Sequence, residues 1–235
     1  MTDGDRSSRW SRLRIAVLAE CGDASLDDDP MTAAHAAIVL AAGGSTRLGR
    51  PKQLLRRDGE SLVARVVRLA AETRPCRLVV MLGAYHDAVA AELAPSRHTL
   101  ELHGVVDWRA GLSASLVAAA QVLQAHRGPV LVTGIDQPAL NALHLRALLD
   151  GARTVRSGCA AVMHGERPGA PAVLSHALFA KAETLAGDRG FGALLAALPE
   201  HDLFRLQAPM LMQDIDTAED VQQALADGLL DRGVV

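Results

Sequence analysis

Aromatic residues are scarce in this chain: three Phe, two Trp and one Tyr among 235 residues. A core with so few rings has to be built from Ala, Val and Leu, which suits helices packed closely on a sheet. Cysteine is equally sparse. Cys21, Cys76 and Cys159 are odd in number, scattered and free of C-x-x-C spacing. That argues against a disulfide framework and a cysteine zinc site, and it fits a reducing, cytoplasmic compartment. No apolar run reaches the ~18 residues that would suggest a membrane span. The short apolar piece near the N-terminus is broken by Glu20 and followed by an acidic run, unlike a secretory leader. Charge of one sign is lacking too. The net charge of −3 gives no general attraction to nucleic acid or membrane, so an anionic ligand needs a local site. The nine histidines show neither H-x-x-x-H nor H-E-x-x-H spacing, and no zinc site is expected.

What is present is an alternation. Continuous apolar runs of strand length, as in AAIVLAA (36–42), RLVVMLG (77–83), LELHGVV (100–106) and PVLVTGI (129–135), are separated by helical patterns at 61–72, 86–94, 112–126 and 140–152. Such runs read as strands buried on both faces, joined by right-handed crossovers. Two further strands are expected at 159–165 and 170–175, joined through a turn at ERPG, then helices over HALFAKAETLA and FGALLAALP, a short strand near 203–207, and a last helix capped by Thr217. The expectation is a single doubly wound, Rossmann-like α/β domain with a mostly parallel sheet and helices on both faces. The domain reads as 35–235, and residues 1–34 read as an N-terminal extension.

LAAGGSTRLGRPKQLL (40–55) follows the first strand. Gly43, Gly44 and Gly49 do not make the G-x-G-x-x-G of a dinucleotide site. Gly44 and Gly49 have the Walker A interval, but Arg50 and Pro51 follow where Lys and Ser or Thr are required. A different logic fits. Gly43 and Gly44 let backbone amides approach an anion, Arg47 offers a planar fork of donors, and Lys52 offers a compact charge stiffened by Pro51. A glycine-rich loop carrying both cations suits the charge of a phosphoryl transition state.

This string resembles the signature of MobA-like nucleotidyltransferases, broadly L-A-[AG]-G-x-S-x-R-x-G-x-x-K. With Ala42 and with Pro51 before the lysine, it is similar to the branch that cytidylylates molybdenum cofactor. The resemblance implies a nucleotide-diphospho-sugar transferase type of fold. It implies nucleotide binding at Leu40, Ala41, Ala42, Gly43, Gly44, Ser45, Lys52, Gly83, Ser113 and Asp136, with Lys52 and Arg47 as the catalytic cations. VLVTGIDQPAL resembles the D-x-P metal motif, so Asp136 would hold Mg²⁺ together with Asp214 or Asp216 of QDIDTAED, Asp214 being preferred. Asp136 and Thr217 are equally placed to cap helices. DWRAGLSASL resembles a segment near nucleotide and acceptor, implicating Gly111, Ser113 and Ser115 at a helix start where amides attract anions; Trp108 either belongs to it or covers the sheet edge. GDRGFGALLA brings Asp188 and Arg189 to the acceptor side, unless they serve as a cap and a surface charge.

One departure stands out. Where the family usually has Gly-His-Pro, this chain has Gly169-Ala170-Pro171, so an imidazole is missing from the acceptor side. The implied reaction is transfer of CMP from CTP to a molybdopterin-type acceptor with release of pyrophosphate, the product then passing to a molybdenum hydroxylase. A sugar phosphate or other small phosphate is the rival acceptor, and a non-catalytic protein that binds and inserts the cofactor is the rival outside the class. No nucleic-acid or membrane partner is expected.

Overall fold

The computed structural model describes residues 34–232. The expected extension at 1–34 therefore lies, except for Ala34, outside the described residues. Along the chain run β1 (Ala36–Ala41), β2 (Arg56–Arg57), β3 (Glu60–Ser61), α1 (Leu62–Ala71), β4 (Arg77–Leu82), α2 (His86–Leu93), β5 (Glu101–Gly104), α3 (Leu112–Val122), β6 (Val130–Gly134) and α4 (Ala142–Ala152). They are followed by β7 (Cys159–His164), β8 (Arg167–Leu174), α5 (His176–Phe179), α6 (Gly192–Ala196), β9 (Leu203–Leu206) and α7 (Ala218–Ala226).

Seven strands form one sheet in the order β5-β4-β1-β6-β8-β7-β9. β8 runs antiparallel to both its neighbours, and the other pairings are parallel. β1 lies inside the sheet between β4 and β6, and its side chains alternate between two cores as a period of two requires. Ala37, Val39 and Ala41 face Val63, Val66, Leu145 and Leu148 of α1 and α4. Ala36 and Ile38 face Leu116 and Ala119 of α3, with Leu178 and Phe179 beyond. Small residues let the layers close. A Cβ on Gly151 of α4 would come within 2.2 Å of the Phe204 ring. Caps fix the helix starts: Ser61 on α1, a capping box of Asn141 with His144 on α4, and the expected Thr217, boxed with Asp220, on α7.

A third, smaller core decides where the C-terminal segment goes. Ile215, Val221, Ala224 and Leu230 pack on Leu55 and Leu62, which sets α7 beside the loop after β1. The backbone N–H of Ile215 donates to Asp136 O at 2.8 Å, so the residues on either side of Ile215 are held against the end of β6.

The structure corrects three details. The β7–β8 turn is Gly165-Glu166, and Arg167, Pro168 and Gly169 are already strand, with a register shift between Ala161 and Val162. The helix expected over 176–186 breaks into α5 and a 3-10 stretch, Ala180–Thr184. The hairpin β2–β3 was not anticipated; Asp58 (φ 55°) and Gly59 (φ 77°) make its turn, the Asp-Gly pair that left-handed hairpin turns select. Its two amides donate to the Asp231 carboxylate at 2.8 Å each.

Candidate active site

At the C-terminal end of β1 the backbone turns its carbonyls inward. Gln53, fully buried, donates Nε2 to Ala41 O at 3.0 Å and Gly43 O at 2.8 Å. Ala42 O accepts from the Ala84 N–H at 3.1 Å, and Gly44 O accepts from the Tyr85 hydroxyl at 3.1 Å. Four successive carbonyls are thereby occupied. Among the described residues no group accepts from the N–H of Gly43, Gly44, Ser45 or Thr46, which leaves a run of donors of the kind that binds anions. Ser45 adopts a left-handed φ of 48°, and its carbonyl takes the N–H of Leu48 and Gly49, closing the loop. Its hydroxyl accepts from Lys52 N at 3.2 Å.

The two glycines serve different ends. A Cβ on Gly43 would meet nothing within 4 Å, so this position opens onto space. A Cβ on Gly44 would lie 2.8 Å from Trp108, so here glycine is needed for the indole. Of the two roles open for Trp108, the structure places it on the loop, with Arg109 stacked 4.2 Å above its ring. Gly83 is similarly tight, since a Cβ there would fall 2.3 Å from Ala42 O.

Lys52 lies between two carboxylates, with Nζ 3.0 Å from Asp136 Oδ2 and 2.9 Å from Asp216 Oδ1. Arg47, largely exposed, reaches the other oxygen of Asp216 at 2.6 Å. Burial works to lower the Lys52 pKa, but Asp136 and Asp216 outweigh it and raise it above the usual lysine range. Burial likewise works to raise the pKa of Asp216, yet Lys52 and Arg47 hold it below the usual carboxylate range. Asp214 is the opposite case. Burial and the charge of Asp136 push it up to about 6, only partly offset by Gln137 and His164, and its Oδ1 is buried without a hydrogen-bond partner.

That orphaned oxygen bears on a metal. Among the described residues no three His, Cys, Asp or Glu side chains gather into a metal site. Mg²⁺, however, commonly takes only one or two carboxylates and completes its shell with water and substrate phosphates. Asp136 and Asp214, mutually repelling and with one oxygen unsatisfied, form a hard-oxygen pair that suits such an ion. Asp136 has only Oδ2 paired, with Lys52, whereas both oxygens of Asp216 are taken by the two cations.

The remaining expected residues divide. Gly111 abuts the Asp188 carboxylate and Gly187, and Ser113 N donates to Gly187 O at 3.0 Å. The helix-start amide of Ser113, expected to be available to an anion, is thus already used. Ser113 and Ser115 are buried, while Asp188 and Arg189 are exposed on the loop beside them. Gly169 lies across the sheet, against His164. Gln53 and Tyr85 escaped the sequence reading because nothing in a sequence gives the direction of a carbonyl; the one available signal was a glutamine beside Lys52.

A doubly wound sheet with an amide-lined, cation-bearing loop facing aspartates at the ends of its strands is the framework of a nucleotidyltransferase. The chain belongs to the MobA-like NTP transferase domain family, whose match spans residues 37–203. It is 34% identical over 125 residues to the bifunctional protein GlmU of Anaeromyxobacter dehalogenans, a match that covers 52% of this chain and 26% of that protein. The chain therefore spans about a quarter of the length of that relative. Rv0371c from Mycobacterium tuberculosis H37Rv, solved in complex with manganese, superimposes with a TM-score of 0.65 at 26% identity, over 82% of this chain and 98% of that one. The molybdopterin-guanine dinucleotide biosynthesis protein A of Archaeoglobus fulgidus shares the fold, with a TM-score of 0.58 at 20% identity, over 80% and 96%. Among the described residues no helix is long and apolar enough to cross a membrane.

Proposed function

We propose that the protein transfers the CMP group of CTP to the terminal phosphate of a molybdopterin-type cofactor. An acceptor phosphate oxygen forms a bond to the α-phosphorus, the bond from that phosphorus to the β-phosphate bridging oxygen breaks, and pyrophosphate leaves with the electron pair. No side-chain nucleophile is needed, because the attacking oxygen is already anionic. The reading is carried by the loop after β1, where four carbonyls are drawn inward and the amides of Gly43, Gly44, Ser45 and Thr46 are left to donate.

In this reading those amides hold the triphosphate. Lys52 and Arg47 exchange their carboxylate partners for phosphate oxygens, and fixed donors of this kind stabilise charge that builds in the transition state. Asp136 and Asp214 would hold Mg²⁺, which when bound neutralises phosphate charge. Asp216 keeps both cations aimed at the site until substrate arrives. The preference for CTP rests on Ala42 and Pro51, and delivery to a molybdenum hydroxylase would follow.

Incubation with Mg²⁺, molybdenum cofactor and each of the four nucleoside triphosphates tests this. The expected outcome is pyrophosphate release with CTP plus cofactor alone. Equal release with another nucleotide, or with a sugar phosphate in place of the cofactor, would replace the specific reading. Binding of CTP without release under any combination would leave a binding protein.

A further inference from the structure

His164 closes β7, next to the strand that carries Gly169 and Ala170. Its ring lies on Gly169, where a Cβ would come within 2.7 Å of Cδ2 and 3.0 Å of Nε2, so only glycine leaves the imidazole this place. Nε2 is 2.9 Å from Ala170 O. A carbonyl can only accept, so Nε2 is the donor, and the tautomer with its proton there has its lone pair at Nδ1. Among the described residues nothing donates to that nitrogen.

The ring is also coupled to the transfer site. The carbonyl it binds accepts from Gln137 Nε2 at 3.3 Å, and the same amide donates to Leu211 O at 3.0 Å. Gln137 is buried and follows Asp136 directly. His164 also lies within electrostatic reach of Asp214. The imidazole thus stands at the carboxylate end of the sheet, on the β7–β8 side, with the phosphate loop on β1 and β6 in between. The Gly-Ala-Pro string has no polar side chain at position 170, and the neighbouring strand places a ring beside it.

We infer that His164 is a specificity-determining residue whose Nδ1 accepts a hydrogen bond from an N–H of the acceptor's heterocycle. The inference rests on the nucleotidyl-transfer reading for its site, and it names the acceptor chemistry: a phosphate attached to a nitrogen heterocycle with ring or amino N–H groups, as in a pterin. A sugar phosphate, which offers only hydroxyls and a compact ring, is the contrasting ligand.

The test is equilibrium titration of the full chain with a pterin bearing a terminal phosphate, in the presence of Mg²⁺ and a non-hydrolysable CTP analogue. His164→Ala should weaken pterin binding about tenfold, the scale of one well-made hydrogen bond, with affinity for the CTP analogue unchanged. His164→Asn, which keeps a polar acceptor, should lose less, and it decides the matter if the alanine variant does not fold. Equal pterin affinity in wild type and both variants would overturn the assignment. So would a parallel loss of CTP-analogue affinity, a loss confined to a hexose phosphate, or no pterin binding by wild type. Pyrophosphate release by wild type is followed alongside. Its absence while pterin binding stays His164-dependent would refute transfer and leave the role of His164 standing.

Discussion

The two ends of the central strands treat charge in opposite ways. At the C-terminal ends of β1 and β6, charged groups are gathered and paired: Lys52 with Asp136 and Asp216, Arg47 with Asp216. At the N-terminal ends of β1 and β6, ionisable rings are kept neutral, and the charged pair of Arg77 with Glu101 sits further out, on β4 and β5. His35, just before β1, is buried and bonds Thr73 Oγ1 at 2.9 Å; burial, with Arg153 and His126 nearby, holds its pKa at about 4. His126 bonds Pro129 O at 3.1 Å and is also held below the ordinary histidine range, chiefly by burial. Burial alone therefore does not decide the outcome. A buried charge survives where an opposite charge is within reach and is expelled as a proton where it is not. The paired charges thus lie at the end that carries the amide-lined loop, and the neutral rings at the opposite end of the same strands.

The largest effect should come from unbalancing the charged end. Lys52→Ala is expected to lower turnover more than ~10²-fold, the scale for losing a main electrostatic stabiliser. Steady-state kinetics showing near-normal turnover would remove Lys52 from the mechanism. The neutral end is challenged by acid. The unfolded His35 binds a proton below its ordinary pKa of 6.5, whereas the folded one resists until about 4. Stability is therefore full above pH 6.5 and is lost as pH falls through that window. Between pH 7.5 and 5 this amounts to about 2 kcal/mol. Chemical denaturation of wild type and His35→Gln across that range should show the slope flattened in the variant; equal slopes would assign it elsewhere.

Asp214 carries the opposite sign. Its folded pKa of about 6 exceeds the ordinary 3.8, so its neutral form is the favoured one and stability is lost as pH rises through 6. Asp214→Asn is expected to raise the melting temperature of the metal-free protein at pH 7.5, a gain on the order of 1 kcal/mol after allowing for solvent screening, while Mg²⁺-dependent activity falls. A lowered melting temperature would contradict the strain assigned to this carboxylate. Smallest is Gly44→Ala, which forces the Trp108 ring aside and costs on the order of 1 kcal/mol; tryptophan fluorescence reports the movement.

Much of the fold is legible in the sequence. The runs at 36–42, 77–83 and 129–135 are uninterrupted and apolar, and all became central parallel strands, because burial on both faces leaves no other pattern. Thr217 read correctly because a cap is a local event. Asp136 and Asp214 could be named from their motifs, but two residues of alternation could not say which aspartate would face Asp136 and which would take the cations. Both flank Ile215, whose burial in the third core and bond to Asp136 O hold the pair at the end of β6. Direction and distance across the sheet stayed hidden: the carbonyls held by Gln53 and Tyr85, the break at Ala180, and the ring of His164 against Gly169. The Asp-Gly turn was readable, but strands of two residues give no periodicity to notice.

The bond from Ile215 N–H to Asp136 O has a consequence for how the molecule is made. Asp136 follows the fourth strand of the main sheet to be synthesised, whereas residues 214–216 come after the last. A ribosome that has just delivered β9 has supplied every strand of the sheet and the whole phosphate loop, yet Lys52 and Arg47 still lack Asp216, and Asp136 lacks its neighbour. This arrangement of charges is complete only when residues 214–216 have emerged, so a product truncated after β9 would leave Arg47 and Lys52 without Asp216.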